Sequence, residues 1–98
     1  MTLEVRLRPD AEDDLFEAAS WYETQRQGLG QQFLDSVTAT FSKLSTFPLA
    51  FPIVHGSIRR ALLQQFPFGI FYQVEEQRIV VIAILHGSRH PWTWQRRA

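Results

Sequence analysis

The feature that most constrains this chain is an unbroken apolar run from Ile79 to Leu85. Seven residues are too few to cross a bilayer as a helix, and most of them are β-branched. A strand with one face in water alternates apolar with polar residues, whereas this run does not alternate. The run therefore predicts a strand that is buried on both faces. Helices of the same chain are expected to cover one face. The other face is expected to be covered by the chain's tail or by another molecule.

The amino-acid composition limits which folds and which chemistry are open to this chain. The chain has 98 residues, 45% of them hydrophobic, which predicts a single globular domain spanning residues 1–98 with one modest core. It contains no cysteine, which excludes disulfides and thiolate chemistry. The N-terminal residues alternate charges and do not resemble a signal peptide, so a cytoplasmic protein without a membrane segment is expected.

The formal net charge of +0 conceals an uneven distribution. Residues 1–50 hold eight acidic and four basic side chains, whereas residues 51–98 hold two acidic and six basic ones, all arginine. Arginine is favoured where planar, bidentate contacts with carboxylate or phosphate are made. A general nucleic-acid-binding surface would be more basic overall. The pattern predicts a localised positive region rather than a basic coat.

The N-terminal half predicts a strand followed by two helices. Leu3, Val5 and Leu7 alternate with charged residues, as in a half-buried strand, and Pro9 ends that strand. Asp10 is predicted to be the N-cap of the first helix, with further carboxylates in its first turn. A metal site is the alternative explanation of these acids, and helix-start carboxylates are the commoner one. Apolar residues at helical spacing continue this helix to the Gly28 and Gly30 break.

A second amphipathic helix runs from Phe33 to Leu44 and ends before Pro48, and the short loop makes the two helices antiparallel. The apolar connector 47–52 is expected to pack over the end of the sheet. Strands at 58–64, 68–74 and 79–86 then form an antiparallel meander. The predicted fold is α+β, with the helical hairpin on one sheet face. Leu62 and Ile82 are both expected in the core.

Five side chains could converge near one sheet edge: Arg59, Arg60, Tyr72, His86 and Arg89. Metal-free RNA cleavage needs a base for the 2′-hydroxyl, an acid for the leaving oxygen and cations around the phosphate, and these residue types suit those tasks. The plainer alternative, which is favoured, is that the histidine ends a core strand and the arginines pair with acids or a protein partner. A zinc site is rejected, because Gly87 and Pro91 interrupt any helix carrying the histidines.

The tail interleaves aromatic and basic residues: Trp92, Trp94, Arg96 and Arg97. Single-stranded nucleic-acid sites have this composition, with stacking faces beside cations. Tail tryptophans that fold back over the sheet have the same pattern. The second interpretation is favoured because the central strand needs a cover.

Taken in order, these motifs resemble the RelE/ParE superfamily of bacterial toxins, and more closely its ParE-like branch. The resemblance covers essentially the whole chain and rests on the following pieces: Ala11-Glu-Asp-Asp-Leu15, Trp21-Tyr22-Glu23, Gly28-Leu-Gly30, Phe33-Leu34, Pro48, Pro52, Arg59-Arg60, Phe66-Pro67-Phe68, Ile70, Tyr72, and His86-Gly-Ser-Arg89-His-Pro91-x-x-Trp94. The family's fold, a helical hairpin against an antiparallel sheet, agrees with the one predicted from periodicity.

The resemblance implies the toxin of a type II toxin–antitoxin system, associated with growth arrest and plasmid stabilisation. It implies a cognate antitoxin that wraps around the toxin and covers the second sheet face, with operator DNA bound only through the antitoxin. No metal or cofactor is implied. RelE-like members cut mRNA on the ribosome, whereas ParE-like members poison DNA gyrase and have no ascribed RNase chemistry.

For an RNase, the resemblance carries over Arg59 or Arg60, His86 and Arg89 as catalytic residues. This chain lacks the lysine-rich helix face of that branch and has no tyrosine after Tyr72, and its pI near 6.8 is poor for docking onto ribosomal RNA. A gyrase-directed toxin is therefore the preferred prediction, with an RNase or an inactive antitoxin-binding member as alternatives. Residues predicted to bind the target or the antitoxin are Arg59, Arg60, Tyr72, His86, Arg89, Trp92, Trp94, Arg96 and Arg97.

Overall fold

A computed structural model describes residues 2–98 of the chain. The elements are β1 (Glu4–Leu7), α1 (Pro9–Gln25), α2 (Leu29–Thr46), β2 (Ile53–His55), β3 (Ile58–Leu62), β4 (Phe68–Glu75), β5 (Arg78–His86) and the short α3 (Trp92–Gln95). The five strands form one mixed sheet in the order β1-β5-β4-β3-β2. The predicted α+β fold, with its helical hairpin and antiparallel meander, is confirmed.

The structure differs from the sequence prediction in several places, among them two boundaries and one additional strand. The first helix begins at Pro9, whose fixed φ suits the first helical position, so Asp10 lies inside the first turn and is not the N-cap. The third strand ends at Leu62 rather than at residue 64. The short strand β2 was not predicted, because it adds only three residues to the edge of the sheet.

The first strand lies parallel to β5, with Val5 opposite Ile79 and Leu7 opposite Val81. The other neighbouring strands run antiparallel. Since β5 has β1 on one side and β4 on the other, the long apolar run occupies an interior position of the sheet. This position explains why the run lacks polar residues, because all of its members except the half-buried Val80 are buried.

The turn between the helices is fixed by Glu23. Its carboxylate accepts hydrogen bonds from the backbone N–H groups of Gly28 and Gly30, both at 3.0 Å, which places a negative charge at the start of α2. Gly28 has φ +88°, a conformation that glycine adopts without strain. A Cβ on Gly30 would lie 2.7 Å from the Ala19 carbonyl oxygen, so the two helices approach closely there.

Two hydrophobic clusters lie on opposite faces of the sheet. The helix-side cluster joins α1 and α2 to the sheet through residues such as Phe33, Leu44 and Tyr72. The second cluster contains Ile58, Phe71, Ile82, Ala83, Leu85 and Trp94. The chain's own tail therefore covers part of the second face, because Trp94 stacks on Phe71 with ring centroids 4.4 Å apart.

The core prediction is confirmed for Ile82 and wrong for Leu62. Ile82 is fully buried, whereas Leu62 is 64% exposed on the second face. Leu62 lies opposite Gly69, which has no side chain to pack against it, and Trp94 covers Phe71 instead. The tail thus shields the middle of the second face and leaves the part beside Leu62 open.

Candidate functional site

The turn that follows β5 presents two of the predicted residues, His86 and Arg89, both exposed. The His86 ring packs edge-to-face on Phe68 at 5.4 Å, and its Nδ1 accepts a hydrogen bond from the Ser88 backbone N–H at 3.0 Å. The Arg89 N–H donates to the His86 carbonyl at 3.0 Å. These contacts fix the His86 ring and the backbone of the turn that carries Arg89.

His86 and Arg89 line a small cleft of about 290 Å³ on the helix side of the sheet. Trp21 of α1, which is 57% exposed, forms part of the same wall, together with Glu17 and Phe68. Trp21 was part of the motif Trp21-Tyr22-Glu23 in the family resemblance and was not among the predicted site residues. Its exposure was not predictable, since an aromatic residue at that spacing is more often buried. The cleft combines a cation, an imidazole and an aromatic face.

Arg59 and Tyr72 lie elsewhere and hold the connector 47–52 in place. The Arg59 guanidinium donates to the carbonyls of Leu49 at 3.2 Å and Phe51 at 2.7 Å. The Tyr72 hydroxyl donates to the Pro48 carbonyl at 2.7 Å, and the residue is fully buried. Burial raises the pKa of Tyr72, and the nearby Arg59 charge opposes part of that rise. Both side chains therefore have a structural role in anchoring the connector.

Arg60 lies on the opposite face of the sheet from His86. It is the cross-strand partner of Phe71, which belongs to the second cluster, whereas His86 is paired with Phe68 of the helix-side cluster. Neighbouring residues of a strand point to opposite faces, so Arg59 and Arg60 also diverge. The structure thus brings His86 and Arg89 together and separates both from Arg60.

The tail is anchored by a largely buried ion pair that was not predicted from the sequence. Arg97 donates to Asp14 Oδ2 at 2.6 Å and to the Ile82 carbonyl at 3.1 Å, and Asp14 also accepts from the Ile84 N–H at 3.0 Å. The pairing with β1 ends at Val81, so this pair satisfies backbone groups of β5 beyond it. A second arginine, Arg8, donates to the Arg97 carbonyl at 2.7 Å.

The predicted tail residues therefore divide into two pairs. Trp94 and Arg97 are engaged inside the molecule, whereas Trp92 and Arg96 are exposed and free to contact another molecule. The sequence feature that separates the two tryptophans is their spacing, since residues two apart, such as Trp92 and Trp94, lie on different sides of the short helix α3. Only the folded tail shows which side faces the sheet.

A larger groove of about 720 Å³ runs beside β1, and no residue of it was among the predicted site residues. Phe16 stands at its rim and is 76% exposed. One side of β1 pairs with β5, and its other side is the free edge of the sheet. The groove is mainly apolar, with Arg6 on the strand side and two carboxylates on the helix side; its lining residues are Val5, Arg6, Leu7, Glu12, Asp13, Leu15, Phe16, Ala19, Ser20 and Leu34.

Within residues 2–98, no group of three or more potential ligands is arranged to hold a metal ion, and no helix is both long and apolar enough to span a membrane. The acids of α1 have other partners: Asp14 binds Arg97, and Asp10 lies 3.9 Å from the same guanidinium. The acidic start of the helix is thus used for the helix dipole and for the tail anchor.

Comparison with known proteins decides the family. The sequence model of the family described as "ParE toxin of type II toxin-antitoxin system, parDE" matches residues 5–91. This chain belongs to the ParE toxin family. The predicted membership of the RelE/ParE superfamily is confirmed, and with it the prediction that the chain is the toxin of a type II toxin–antitoxin system.

Individual relatives agree with this assignment. The chain is 32% identical over 95 residues to Toxin ParE2 of Mycobacterium tuberculosis, covering 93% of this chain and 88% of the relative. It also shares the fold of a structure of the chromosomal ParDE toxin–antitoxin system from P. aeruginosa, with a TM-score of 0.76, 15% identity and coverage of 87% and 96%. The RelBE2 toxin–antitoxin complex of M. tuberculosis is similar at a TM-score of 0.63 and 17% identity, with coverage of 88% and 99%.

Proposed function

We propose that this ParE-family toxin arrests growth by binding DNA gyrase, and that a cognate antitoxin neutralises it. The observation that carries the choice of target is the separation of the RNase candidates. A metal-free nuclease needs its acid, its base and its phosphate-binding cations around one phosphate. Here Arg60 lies on one face of the sheet, and His86 with Arg89 on the other. A toxin that acts through a protein surface does not need these residues to converge.

The net charge and the placement of the arginines also support gyrase rather than the ribosome as the target. The chain has a formal net charge of +0, and binding to ribosomal RNA depends on neutralising several phosphates at once. Its exposed arginines are dispersed rather than clustered, with Arg26, Arg89 and Arg96 on three different elements or turns. Dispersed cations suit contacts with individual carboxylates of a protein target.

The antitoxin is proposed to bind in the groove beside β1. An unpaired sheet edge offers backbone N–H and C=O groups to an added strand, and the apolar floor offers pockets for alternate side chains of that strand. Arg6 at one rim and Glu12 and Asp13 at the other supply charges of both signs for the ends of such a segment. This differs from the sequence expectation that the antitoxin covers the second face, where Trp94 already packs.

The target is tested by inducing the chain without an antitoxin and following growth, plasmid supercoiling and protein synthesis. The purified protein is then added to DNA gyrase in a supercoiling assay and, in parallel, to a translation reaction. We expect loss of supercoiling or trapped cleaved DNA, with translation intact. Early loss of protein synthesis with normal supercoiling would contradict the gyrase proposal.

The antitoxin groove is tested with Phe16→Arg, in the presence of the antitoxin encoded beside the toxin gene. Phe16 is 76% exposed, so the fold should tolerate the change, while a charge in the apolar groove should weaken antitoxin binding about 100-fold. The matched control is Phe47→Arg, at an aromatic residue that is 62% exposed and lies outside the groove. Equal antitoxin affinity of Phe16→Arg and the unchanged chain would place the antitoxin elsewhere.

A ribosome-dependent mRNA endoribonuclease is the second candidate. The observation that favours it is the cleft in which His86 and Arg89 lie beside the exposed Trp21, because an imidazole, a cation and a stacking face are the groups that such a nuclease uses. In that case mRNA cleavage on ribosomes would be detected and would be lost in His86→Ala and in Arg89→Ala. A third outcome, no toxicity on induction but retained antitoxin binding, would identify an inactive family member.

A further inference from the structure

Arg60 is held in an unusual position on the second face of the sheet. Its side chain lies across Gly69, the diagonal neighbour on β4, and a Cβ built on Gly69 would lie 3.2 Å from both Cγ and Cδ of Arg60. Residues diagonally opposed on antiparallel strands are within reach of long side chains. The missing side chain of Gly69 therefore provides the space in which the aliphatic part of Arg60 rests.

The guanidinium of Arg60 lacks an acceptor inside the described chain. Its Nε is buried without a hydrogen-bond partner, and no ion pair or side-chain hydrogen bond involves this residue among residues 2–98. Arg59 and Arg97, in contrast, donate to backbone carbonyls or to Asp14. An unmade hydrogen bond of a buried donor is unfavourable, so an external acceptor that reached this group would gain affinity.

The surroundings of Arg60 indicate what kind of acceptor fits. The β3 and β4 residues of this face that lie near Arg60 are uncharged, namely Ile58, Leu62, Gly69, Phe71 and Gln73, and the one carboxylate, Glu75, lies at the far end of β4. Leu62, two residues along the same strand, is 64% exposed and forms an apolar patch beside the cation. A nucleic acid would require several cations along its phosphates. One guanidinium beside an exposed leucine suits a carboxylate next to an apolar side chain.

We propose that Arg60 and Leu62 form a binding site for an acidic peptide segment of a protein partner, and that Gly69 is the positioning residue that keeps Arg60 in place. Binding requires the guanidinium to turn outward from its buried position, so that a carboxylate accepts hydrogen bonds from Nε and one terminal nitrogen. The apolar side chain next to that carboxylate lies on Leu62. This site is on the opposite face from His86 and is separate from the groove beside β1.

The ligand class is tested by NMR, following the arginine Nε–Hε signals during titration with the blocked dipeptide N-acetyl-glutamyl-leucine amide. We expect a saturable shift of the Arg60 signal and none of the exposed Arg26 signal. The γ-methyl ester of the same dipeptide, which lacks the carboxylate, should leave Arg60 unchanged. A shift produced by inorganic phosphate or a short single-stranded RNA but not by the dipeptide would overturn the proposal, as would no shift with any probe.

The positioning role is tested with Gly69→Ala, whose Cβ would push on the Arg60 stem. We expect dipeptide affinity to fall about tenfold, and to fall similarly in Arg60→Lys, which keeps the charge but lacks the Nε–H and the planar fork. The matched control is Gly87→Ala, where the nearest atom to an added Cβ is the Pro67 carbonyl oxygen at an ordinary 3.6 Å.

Thermal melting and the signals of the Trp94 ring report whether the fold survives each substitution. A folded Gly69→Ala variant that binds the dipeptide as well as Gly87→Ala does would refute the positioning role. If Gly69→Ala does not fold, the dipeptide affinity of Arg60→Lys alone tests the proposed site. An affinity equal to that of the unchanged chain would then refute the site. Because the probe is a dipeptide, the result does not depend on gyrase or on the antitoxin, so the two proposals fail separately.

Discussion

The two faces of the central sheet are covered in different ways. On the helix side, α1 and α2 contribute 17 and 18 residues, and their apolar positions merge with the sheet in one extended cluster. On the second side, the cover consists of the four-residue helix α3, with Trp94 stacked on Phe71 and Arg97 buried against Asp14. The first cover is distributed over many contacts, whereas the second depends on two.

This difference indicates which face of the sheet is sensitive to substitution and which face is accessible to a partner. Many small apolar contacts tolerate the loss of any one of them, whereas a cover built from one aromatic stack and one ion pair fails when either is removed. The short tail also leaves Leu62 exposed and Arg60 only half-buried on the second face. The thin cover therefore accounts both for the sensitivity of this face and for its availability to a partner.

The largest effect is expected from Ile82→Asp, which places an unpaired carboxylate in the fully buried second cluster. The lost apolar burial and the buried charge together should cost about 5 kcal/mol or more, comparable with the whole stability of a domain of this size. Circular dichroism should show a largely unfolded protein. The control is Leu62→Asp on the same face, which should melt within a few degrees of the unchanged chain. Two variants with equal melting temperatures would refute the described faces.

Asp14→Ala should come next, because it leaves the largely buried Arg97 without its carboxylate partner and the Ile84 N–H without an acceptor. We expect a loss of about 3 to 5 kcal/mol in urea unfolding. Asp13→Ala, at the exposed neighbouring carboxylate, should change stability by less than about 0.5 kcal/mol. A small effect of Asp14→Ala would mean that the tail is not anchored through this pair.

Trp94→Ala removes the aromatic cover from Phe71 and should cost about 3 kcal/mol. Trp92→Ala, whose side chain is 61% exposed, should have almost no effect on the free energy of unfolding. Chemical denaturation followed by circular dichroism measures both. If the two tryptophan variants were equally stable, the second face would be covered by something other than the tail.

The smallest effect is expected on the helix side, from Tyr72→Phe. Loss of the hydrogen bond to the Pro48 carbonyl should cost about 1 kcal/mol at neutral pH. Burial raises the pKa of Tyr72, so the folded state keeps the phenolic proton to a higher pH than the unfolded state does. Stability should therefore fall as the pH rises above about 10, the unfolded value.

Tyr22, whose pKa burial also raises, is the only other tyrosine, so Tyr72→Phe should make the alkaline loss of stability less steep without abolishing it. Urea unfolding at pH 8 and at pH 10.5 provides the comparison. An identical alkaline decline in Tyr72→Phe and the unchanged chain would show that this hydroxyl does not contribute.

Much of the architecture could be predicted because the periodicity of apolar residues indicates which side of a helix or strand is buried. The amphipathic spacing around Phe33 and Val37 identified the second helix, and the run Ile79–Leu85 identified a strand buried on two faces. Which residue of that run faces which side was not predictable. A β-bulge shifts the register between Phe71 and Tyr72, so the consecutive residues Ile82 and Ala83 both pack in the second cluster. A strict period of two would have placed them on opposite sides.

The site was predictable only in part. Proximity of His86 and Arg89 follows from their separation by two residues in one turn, whereas the association of Trp21 with them depends on how α1 crosses the sheet. The adjacent residues Arg59 and Arg60 could not be assigned to faces, since that requires the strand register. The roles of these side chains in target or antitoxin binding stay predictions until the proposed experiments are done.

The sequence by itself determined the order of the longer elements, the buried strand and the family, because these depend on local spacing and on the order of motifs along one chain. Only the tertiary structure decided that Asp14 meets Arg97, 83 positions away, and that the tail, rather than a partner, covers Phe71. Contacts between distant residues depend on how the elements pack in three dimensions. The order of polar and apolar residues along the chain does not specify which of several similar side chains makes a given contact.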